Sequence, residues 1–129
     1  MDNDNMLMMT MDSAEEEMVD LLRKLEVSKP AAKALVCLHH ADEITSREIE
    51  MKSRLRQPEV SIAMRYLGSE KGMGWVGIRQ VKMEEGKGRP TKVYRLTVPM
   101  EDIIDHLEQQ LLSKNERVLS DIERLKSLS

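Results

Sequence analysis

The stretch TSREIEMKSRLRQPEVSIAMRYLGSEKG, residues 45–72, decides the fold of this chain. It predicts two short helices joined by a tight turn, the second beginning at Gln57-Pro58. At roughly 100° per residue, one side of the second helix is apolar and should face the core: Val60, Ala63, Met64 and Leu67. The other side is short, polar and cationic: Pro58, Ser61, Ile62, Arg65 and Ser69. Such an outer face suits the major groove of DNA, so the stretch predicts a helix-turn-helix.

The first helix of this pair begins with the spacing of a capping box, Thr45 followed by Glu48. Ile49 should face the core, and the helix should end near Lys52. Leu55 is an apolar residue in an otherwise polar turn. We expect Leu55 to fill the space between the two helices and so to fix the angle between them.

Composition and charge fit a small globular domain with extensions, because the 129 residues are 40% hydrophobic and 33% charged. The net charge of −3 conceals an asymmetry along the chain. Residues 1–27 carry 8 acidic and 2 basic side chains, residues 28–95 carry 14 basic and 8 acidic, and residues 96–129 carry 7 acidic and 4 basic. A basic middle between acidic ends is typical of nucleic-acid binders, although chance clustering on a solvated surface gives the same counts.

Several classes of protein are disfavoured. With no Phe, one Trp and two Tyr, the chain lacks the aromatic platforms on which single-stranded bases stack. A single Cys excludes an internal disulfide and fits a reducing, cytoplasmic location. We see no apolar run long enough for a membrane span and no signal peptide. There is no Gly-rich phosphate loop, nucleophile elbow or metal-ligand spacing, so we expect no enzyme, no cofactor and no metal site.

The N-terminal part should add two helices to the pair. Residues 1–12 are polar and Met-rich and should form a disordered tail. Ser13 and Glu16 have the spacing of a capping box, and an apolar stripe follows it: Met18, Leu21, Leu22 and Leu25. Ser28 should cap a second helix, and residues 41–44 should form the loop that follows it. Four residues of this helix should face inward: Ala31, Ala34, Leu35 and Leu38.

After the helix pair, the sequence predicts a β-hairpin. Residues 75–83 are rich in β-branched side chains, and residues 91–98 alternate between two faces. The connection, residues 84–90, is glycine-rich and basic at its tip. A helix-turn-helix followed at once by a hairpin is the winged-helix order. Lys87 and Arg89 would then form an extended arm in the minor groove, or else an ordinary hairpin turn that happens to be basic.

Residues 100–128 contain no Gly or Pro and predict one long helix. At 1.5 Å per residue its length is about 40 Å, too long to pack wholly on a small domain. We expect its apolar stripe to meet a second copy of the chain, the alternative being a helix folded back on its own domain. Asn115 would fix the register of that dimer. The predicted seam consists of Ile104, Leu107, Leu111, Asn115, Val118, Ile122 and Leu125.

The candidate DNA contacts follow from the chemistry of base edges and phosphates. Gln57 can pair with adenine and Arg65 with guanine, while Ser61 can bond a base or a phosphate. Ile62 either packs on a thymine methyl group or is partly buried against the second helix of the chain, the one that Ser28 opens, and Tyr66 suits phosphate contact or the rim of the core. The full predicted set is Arg47, Arg54, Arg56, Gln57, Ser61, Ile62, Arg65, Lys87, Arg89 and Lys92.

With these residues in place, the chain resembles archaeal winged-helix transcriptional regulators of the TrmB-like and ArsR/MarR-like groups. The likeness covers residues 28–99 and is most specific at ITSREIE (44–50), LRQPEVSIAMRYL (55–67) and GKGRPTKVYRLTVP (86–99). It implies a dimer on a pseudo-palindromic operator, with Gln57, Ser61 and Arg65 as helix contacts and Arg89 as a wing contact. Here a single helix replaces the C-terminal sugar-binding domain of larger TrmB members, and there is one Cys where ArsR metal sensors have several.

The sequence therefore predicts a mainly α (α+β) protein: a winged helix-turn-helix over residues 13–99 with a two-stranded β-wing, and a C-terminal dimerisation helix over residues 100–129. The function expected is that of a homodimeric, sequence-specific regulator binding double-stranded DNA, with its effector unknown. One alternative is a winged-helix protein-interaction module without sequence-specific DNA binding. Another is a metal- or redox-responsive regulator acting through Cys37 and the pair His39-His40.

Overall fold

The computed structural model describes residues 10–68, 71–81 and 90–129. Within these ranges the chain is mainly helical, with a small antiparallel sheet and a long C-terminal helix, which confirms the predicted class at that level. The elements in chain order are α1 (Ser13–Lys24), α2 (Lys29–His39), β1 (Ile44–Thr45), α3 (Ser46–Ser53), α4 (Gln57–Leu67), β2 (Val76–Val81), β3 (Thr91–Leu96) and α5 (Met100–Leu128). No helix in the described ranges has both the length and the apolar character of a bilayer span.

Helix α2 is the centre of the core. It contacts α1, α3, α4 and β3. Apolar residues occupy nearly all of its sides, as expected for a helix surrounded by other elements. Its buried residues are Ala31, Ala32, Ala34, Leu35, Val36, Cys37 and Leu38. The predicted cap is confirmed, since the Ser28 hydroxyl accepts a hydrogen bond from the N–H of Ala31 at 3.4 Å.

Helix α1 begins one residue earlier than its sequence indicates. The N-cap is Asp12, whose carboxylate accepts from the N–H of Glu15 at 2.8 Å, while the Glu15 carboxylate accepts from the N–H of Asp12 at 3.2 Å. The predicted box of Ser13 and Glu16 is therefore wrong, and Asp12 belongs to the helix cap instead of the tail. Both registers offer an oxygen followed three residues later by Glu, so the pattern alone does not separate them.

The buried face of α1 is correspondingly shifted. Glu15, Val19 and Leu22 are buried, whereas Leu21 is 51% exposed, so only part of the predicted stripe faces the core of the single chain. Glu15 is a buried carboxylate, and Lys52 of α3 places its Nζ 2.7 Å from the Glu15 Oε2. This ion pair ties α1 to α3 and supplies the opposite charge that a buried carboxylate requires.

The sheet has three antiparallel strands in the order β1-β3-β2. Ile44 and Thr45 of β1 pair with Tyr94 and Val93 of β3, so the predicted hairpin of two strands gains a third strand and residue 44 does not belong to a loop. β1 is two residues long and carries no alternation that a sequence pattern can reveal. Residues 82–89, which hold most of the predicted hairpin tip, lie outside the described residues.

The segment after α4 folds back against the end of that helix. The N–H of Met73 donates to the carbonyl oxygen of Tyr66 at 2.9 Å, and the N–H of Trp75 donates to that of Leu67 at 3.0 Å. Gly72 is exposed, but a Cβ atom at this position would collide with the carbonyl oxygens of Arg65 and Tyr66. Only glycine therefore allows this close approach of backbone to backbone.

The chain divides into two units, Met1–Val98 and Pro99–Ser129. The second unit is α5, a single helix of 29 residues, as predicted. Its first turns contain buried side chains, including Leu107, which is 4% exposed. The place of Leu107 in a dimer seam stays a prediction. The later apolar residues of the predicted stripe are exposed or half-buried.

Candidate nucleic-acid interface

Helix α4 has one buried and one exposed face. Val60, Ala63, Met64 and Leu67 are buried, with Leu67 fully so, which confirms the predicted core face. The predicted outer face is exposed along its described length: Pro58, Ser61, Ile62 and Arg65. Ile62 is 62% exposed, so it is not buried against α2. Ser69 lies outside the described residues.

Hydrogen bonds and one buried side chain fix the turn between α3 and α4. The Ser53 hydroxyl donates to the Ile49 carbonyl oxygen and accepts from the N–H of Leu55 at 3.2 Å. Lys33 of α2 donates from its Nζ to the Ser53 carbonyl oxygen at 2.9 Å, which satisfies an acceptor at the end of α3. Leu55 is buried, as predicted, so the start of α4 is fixed relative to α2 and α3.

Arg54 occupies this turn in a left-handed conformation, with φ of 61° and ψ of 24°. Glycine adopts this conformation without cost, whereas a residue with a Cβ atom is strained by roughly 1–2 kcal/mol. An arginine is therefore present at a position where the backbone favours glycine. Its exposed guanidinium lies next to the start of α4, where it can reach a phosphate.

We expect Arg54→Gly to be more stable than Arg54→Ala by about 1 kcal/mol, because only the alanine retains the left-handed strain. Both variants lose the same cation, so they should lose DNA affinity equally. Urea unfolding of the two proteins, followed by circular dichroism, measures the difference. Equal unfolding midpoints would mean that the turn is not strained in solution.

The outer face of α4 presents an ordered pair of polar side chains. The Gln57 Nε2 donates to the Ser61 Oγ at 2.8 Å. This bond leaves the Gln57 carbonyl oxygen, a second amide N–H and the Ser61 hydroxyl proton for other partners. An acceptor and a donor on one amide are what the adenine edge requires, and this bond leaves one of each on Gln57.

The three predicted base contacts lie at intervals of four residues and therefore share one side of α4. From Gln57 to Arg65 the rise is about 12 Å at 1.5 Å per residue. This length corresponds to three or four base pairs at about 3.4 Å each. The exposed face of α4 thus matches the reach of one recognition helix in one half-site.

The remaining predicted contacts are cations. Arg47 of α3, Arg54 and Arg56 of the turn, and Lys92 of β3 are all exposed. Arg47, Arg54 and Arg56 flank α4 in sequence, whereas Lys92 belongs to the hairpin. Lys87 and Arg89 lie outside the described residues and stay predictions.

Two basic residues of the sheet were not assigned from the sequence. Arg79 of β2 is held by Glu43, with its Nη2 2.7 Å from the Glu43 Oε1, and the hydrogen bond from Arg79 lowers the pKa of Glu43. The Arg79 guanidinium is therefore already paired with the Glu43 carboxylate. Arg95 of β3 is exposed, and the alternation of residues 91–98 would have placed it on the outer side of the hairpin.

The residues of the metal or redox hypothesis have ordinary surroundings. Cys37 is fully buried, and burial raises the pKa of its thiol to about 11, which keeps it in the unreactive neutral form. The Nδ1 of His40 lies 3.0 Å from the Val36 carbonyl oxygen and 3.7 Å from the Glu15 Oε2. His39 meets the His40 ring edge-on at 4.8 Å. His39 and His40 therefore make ordinary contacts with each other and with neighbouring groups at the end of α2.

The pKa of Cys37 predicts an alkaline loss of stability. The folded thiol titrates near 11 and the ordinary value is 9.0, so above pH 9 only the unfolded chain releases this proton. The free energy of unfolding should therefore fall by about 2 kcal/mol between pH 9 and pH 11 through this group. Urea titrations of the wild type and of Cys37→Ala isolate the effect as a difference. A difference that stays constant with pH would show that the thiol ionises freely.

No protein-family model matches the chain, and no curated protein has a significantly similar sequence. Function is therefore inferred from the geometry of the interface itself.

Proposed function

We propose that the chain is a sequence-specific double-stranded DNA-binding regulator of the winged-helix type that acts as a homodimer. α3 and α4 form the helix-turn-helix, α4 enters the major groove, and the hairpin of β2 and β3 is the wing. The observation that carries the proposal is the outer face of α4, which is exposed and polar while its inner face is sealed in the core.

The contacts divide into two kinds. Gln57, Ser61 and Arg65 read base edges, and Ile62 packs on a thymine methyl group. The exposed cations Arg47, Arg54, Arg56 and Lys92 bind phosphates, and the arm of Lys87 and Arg89 reaches the minor groove. Each phosphate contact adds about 0.9 to the log–log salt slope, so binding should weaken steeply as salt rises.

The dimer is proposed through α5. Among the apolar residues of its stripe, Ile104 is 43%, Val118 46%, Ile122 43% and Leu125 68% exposed in the single chain. Leu111 is half-buried and Asn115 is exposed within the same stripe. A stripe of this kind is covered when a second copy packs along it, and the polar Asn115 then fixes the register.

We expect Val118→Asp to raise the dimer dissociation constant by at least about 100-fold, because the substitution buries an unpaired charge in each of two chains. Ser120→Asp is the matched control, since Ser120 lies on the opposite side of α5. Analytical ultracentrifugation over a concentration series measures both. If Val118→Asp associates like the wild type, α5 does not form the seam.

Selection from a random duplex library tests the function. A winged-helix dimer should enrich two related half-sites whose centres lie about 10 base pairs, or a multiple of this spacing, apart. Enrichment of no motif, together with equal and salt-labile binding to every duplex, would contradict sequence-specific recognition.

A second function is favoured by one observation. Ile62 and Tyr66 of α4 are 62% and 46% exposed, and a protein partner could cover such apolar area. Under this protein-interaction hypothesis, the double variant Arg65→Ala, Arg89→Ala would leave a co-purifying protein bound. Under the DNA-binding proposal, the same variant loses affinity for the selected duplex.

A further inference from the structure

A cavity of about 540 Å³ lies beside the helix pair. Its walls come from α1, from α2, from the end of α3 and from Arg54 in the turn, together with Thr10 and Met11 ahead of α1. We name it the α1 cleft. Its volume is within the range of sites for small organic molecules and is larger than a single inorganic ion requires.

The lining of the α1 cleft is strongly basic. Five cationic side chains line it, against the two carboxylates of Glu16 and Asp20. The cations come from four separate segments of the chain: Arg23 (α1), Lys29 and Lys33 (α2), Lys52 (α3) and Arg54 (turn). A concave surface with one sign of charge concentrates ions of the opposite sign.

Two of the five cations already have partners. Lys52 pairs with the buried Glu15, and Lys33 donates to the Ser53 carbonyl oxygen. Arg23, Lys29 and Arg54 are exposed, and the two carboxylates of the lining are fewer than its five cations. Burial, and after it the charge of Lys29, lowers the pKa of Lys33. The cleft therefore holds positive charge that its own walls leave uncompensated.

We infer that the α1 cleft binds a small organic molecule carrying at least two negative charges as phosphate or carboxylate groups. Arg23 and Arg54 can hold such groups through paired N–H donors, and Lys29 and Lys33 act as point charges. Val19, which is buried, and the half-buried Met11 give the cleft an apolar wall for a carbon skeleton. This composition favours an organic anion over a bare inorganic ion.

Binding in the cleft would also affect DNA. Arg54 both lines the α1 cleft and lies in the turn ahead of α4. An anion that engages Arg54 withdraws this cation from a DNA phosphate, so ligand and DNA should each weaken the other's binding by the same factor. This consequence rests on the proposed function, whereas anion binding itself does not.

Calorimetric titration without DNA tests the cleft. The probes are glucose 6-phosphate and citrate, and the controls are glucose, inorganic pyrophosphate as an anion without a carbon skeleton, and sodium chloride at matched ionic strength. We expect saturable binding of at least one anionic probe, weakened at least about tenfold in Arg23→Gln, Lys29→Gln. Both substituted residues are exposed, and circular dichroism checks the fold. Arg117→Gln, Lys126→Gln on α5 is the matched control and should bind like the wild type.

Three results would overturn the inference. The first is binding that does not saturate or that sodium chloride reproduces, and the second is binding that the cleft variant retains in full. The third is a cleft variant that loses duplex affinity while no probe binds the wild type, since the cations would then contact DNA phosphates. Arg65→Ala changes only DNA binding, so failure of the cleft and failure of DNA recognition give different patterns.

Discussion

Arg65→Ala is expected to weaken binding to the selected duplex by about 10- to 100-fold, because a bidentate contact from arginine to guanine contributes about 1–3 kcal/mol of discrimination. Arg65 is exposed on the outer face of α4, and the hydrogen bonds found among the described residues do not engage its guanidinium. Its removal should therefore leave the folded protein intact. Affinity for unrelated duplexes should fall much less, since only the phosphate attraction of one charge is lost.

Fluorescence anisotropy with the selected duplex and a scrambled duplex measures the two affinities at fixed salt. Arg117→Ala on α5 is the matched control, because Arg117 is also exposed and carries the same charge. An equal loss on both duplexes would show that Arg65 contacts only phosphates. No loss on either would remove α4 from the interface and favour the protein-interaction hypothesis.

Leu22→Ala should destabilise the protein by about 2–4 kcal/mol, whereas Leu21→Ala should change the free energy of unfolding by at most about 0.5 kcal/mol. The two residues are neighbours on α1 and lose the same atoms. Leu22 is 5% exposed and Leu21 is 51% exposed, so only the first leaves a cavity in the core.

Urea unfolding of the two variants gives the comparison directly. Because both substitutions raise helix propensity slightly, the difference between them reports burial alone. Similar losses would mean that both leucines are buried in solution. A large loss of stability in Leu21→Ala alone would show that Leu21, and not Leu22, faces the core.

The faces of α4 were predictable because the helical period repeats over a long enough segment. Four apolar residues at helical spacing are buried, and the polar residues between them are exposed. The same reasoning worked for Leu55, whose apolar side chain in a polar turn has one favourable place. At these positions the local sequence pattern and the tertiary packing favour the same arrangement, so the pattern alone is sufficient to predict which side chains are buried.

Helix α1 shows where such a pattern fails. Glu15 reads as a surface residue because charged side chains are rarely buried without a partner. That partner, Lys52, is distant in the sequence, and only the folded chain brings it to 2.7 Å from the Glu15 carboxylate. Once Glu15 is inside, the helix turns Val19 and Leu22 inward and Leu21 outward.

The sheet and the α1 cleft were missed for a related reason. Strand β1 is two residues long and is defined by its pairing with β3, which no local signal predicts. The cations of the cleft are scattered over residues 23–54 and look like ordinary solvated charges one at a time. They line one cleft only because α1, α2 and α3 pack together.

The close approach at Gly72 has a consequence for how this chain tolerates change. Substitution scans usually find surface positions permissive and interior positions strict. Gly72 should reverse that expectation: although water reaches it freely, even alanine would force the backbone off the end of α4. A strict requirement for one amino acid in an exposed loop is usually interpreted as a sign of ligand contact. At Gly72 it would instead reflect the close approach of two stretches of main chain, which leaves no room for a Cβ atom.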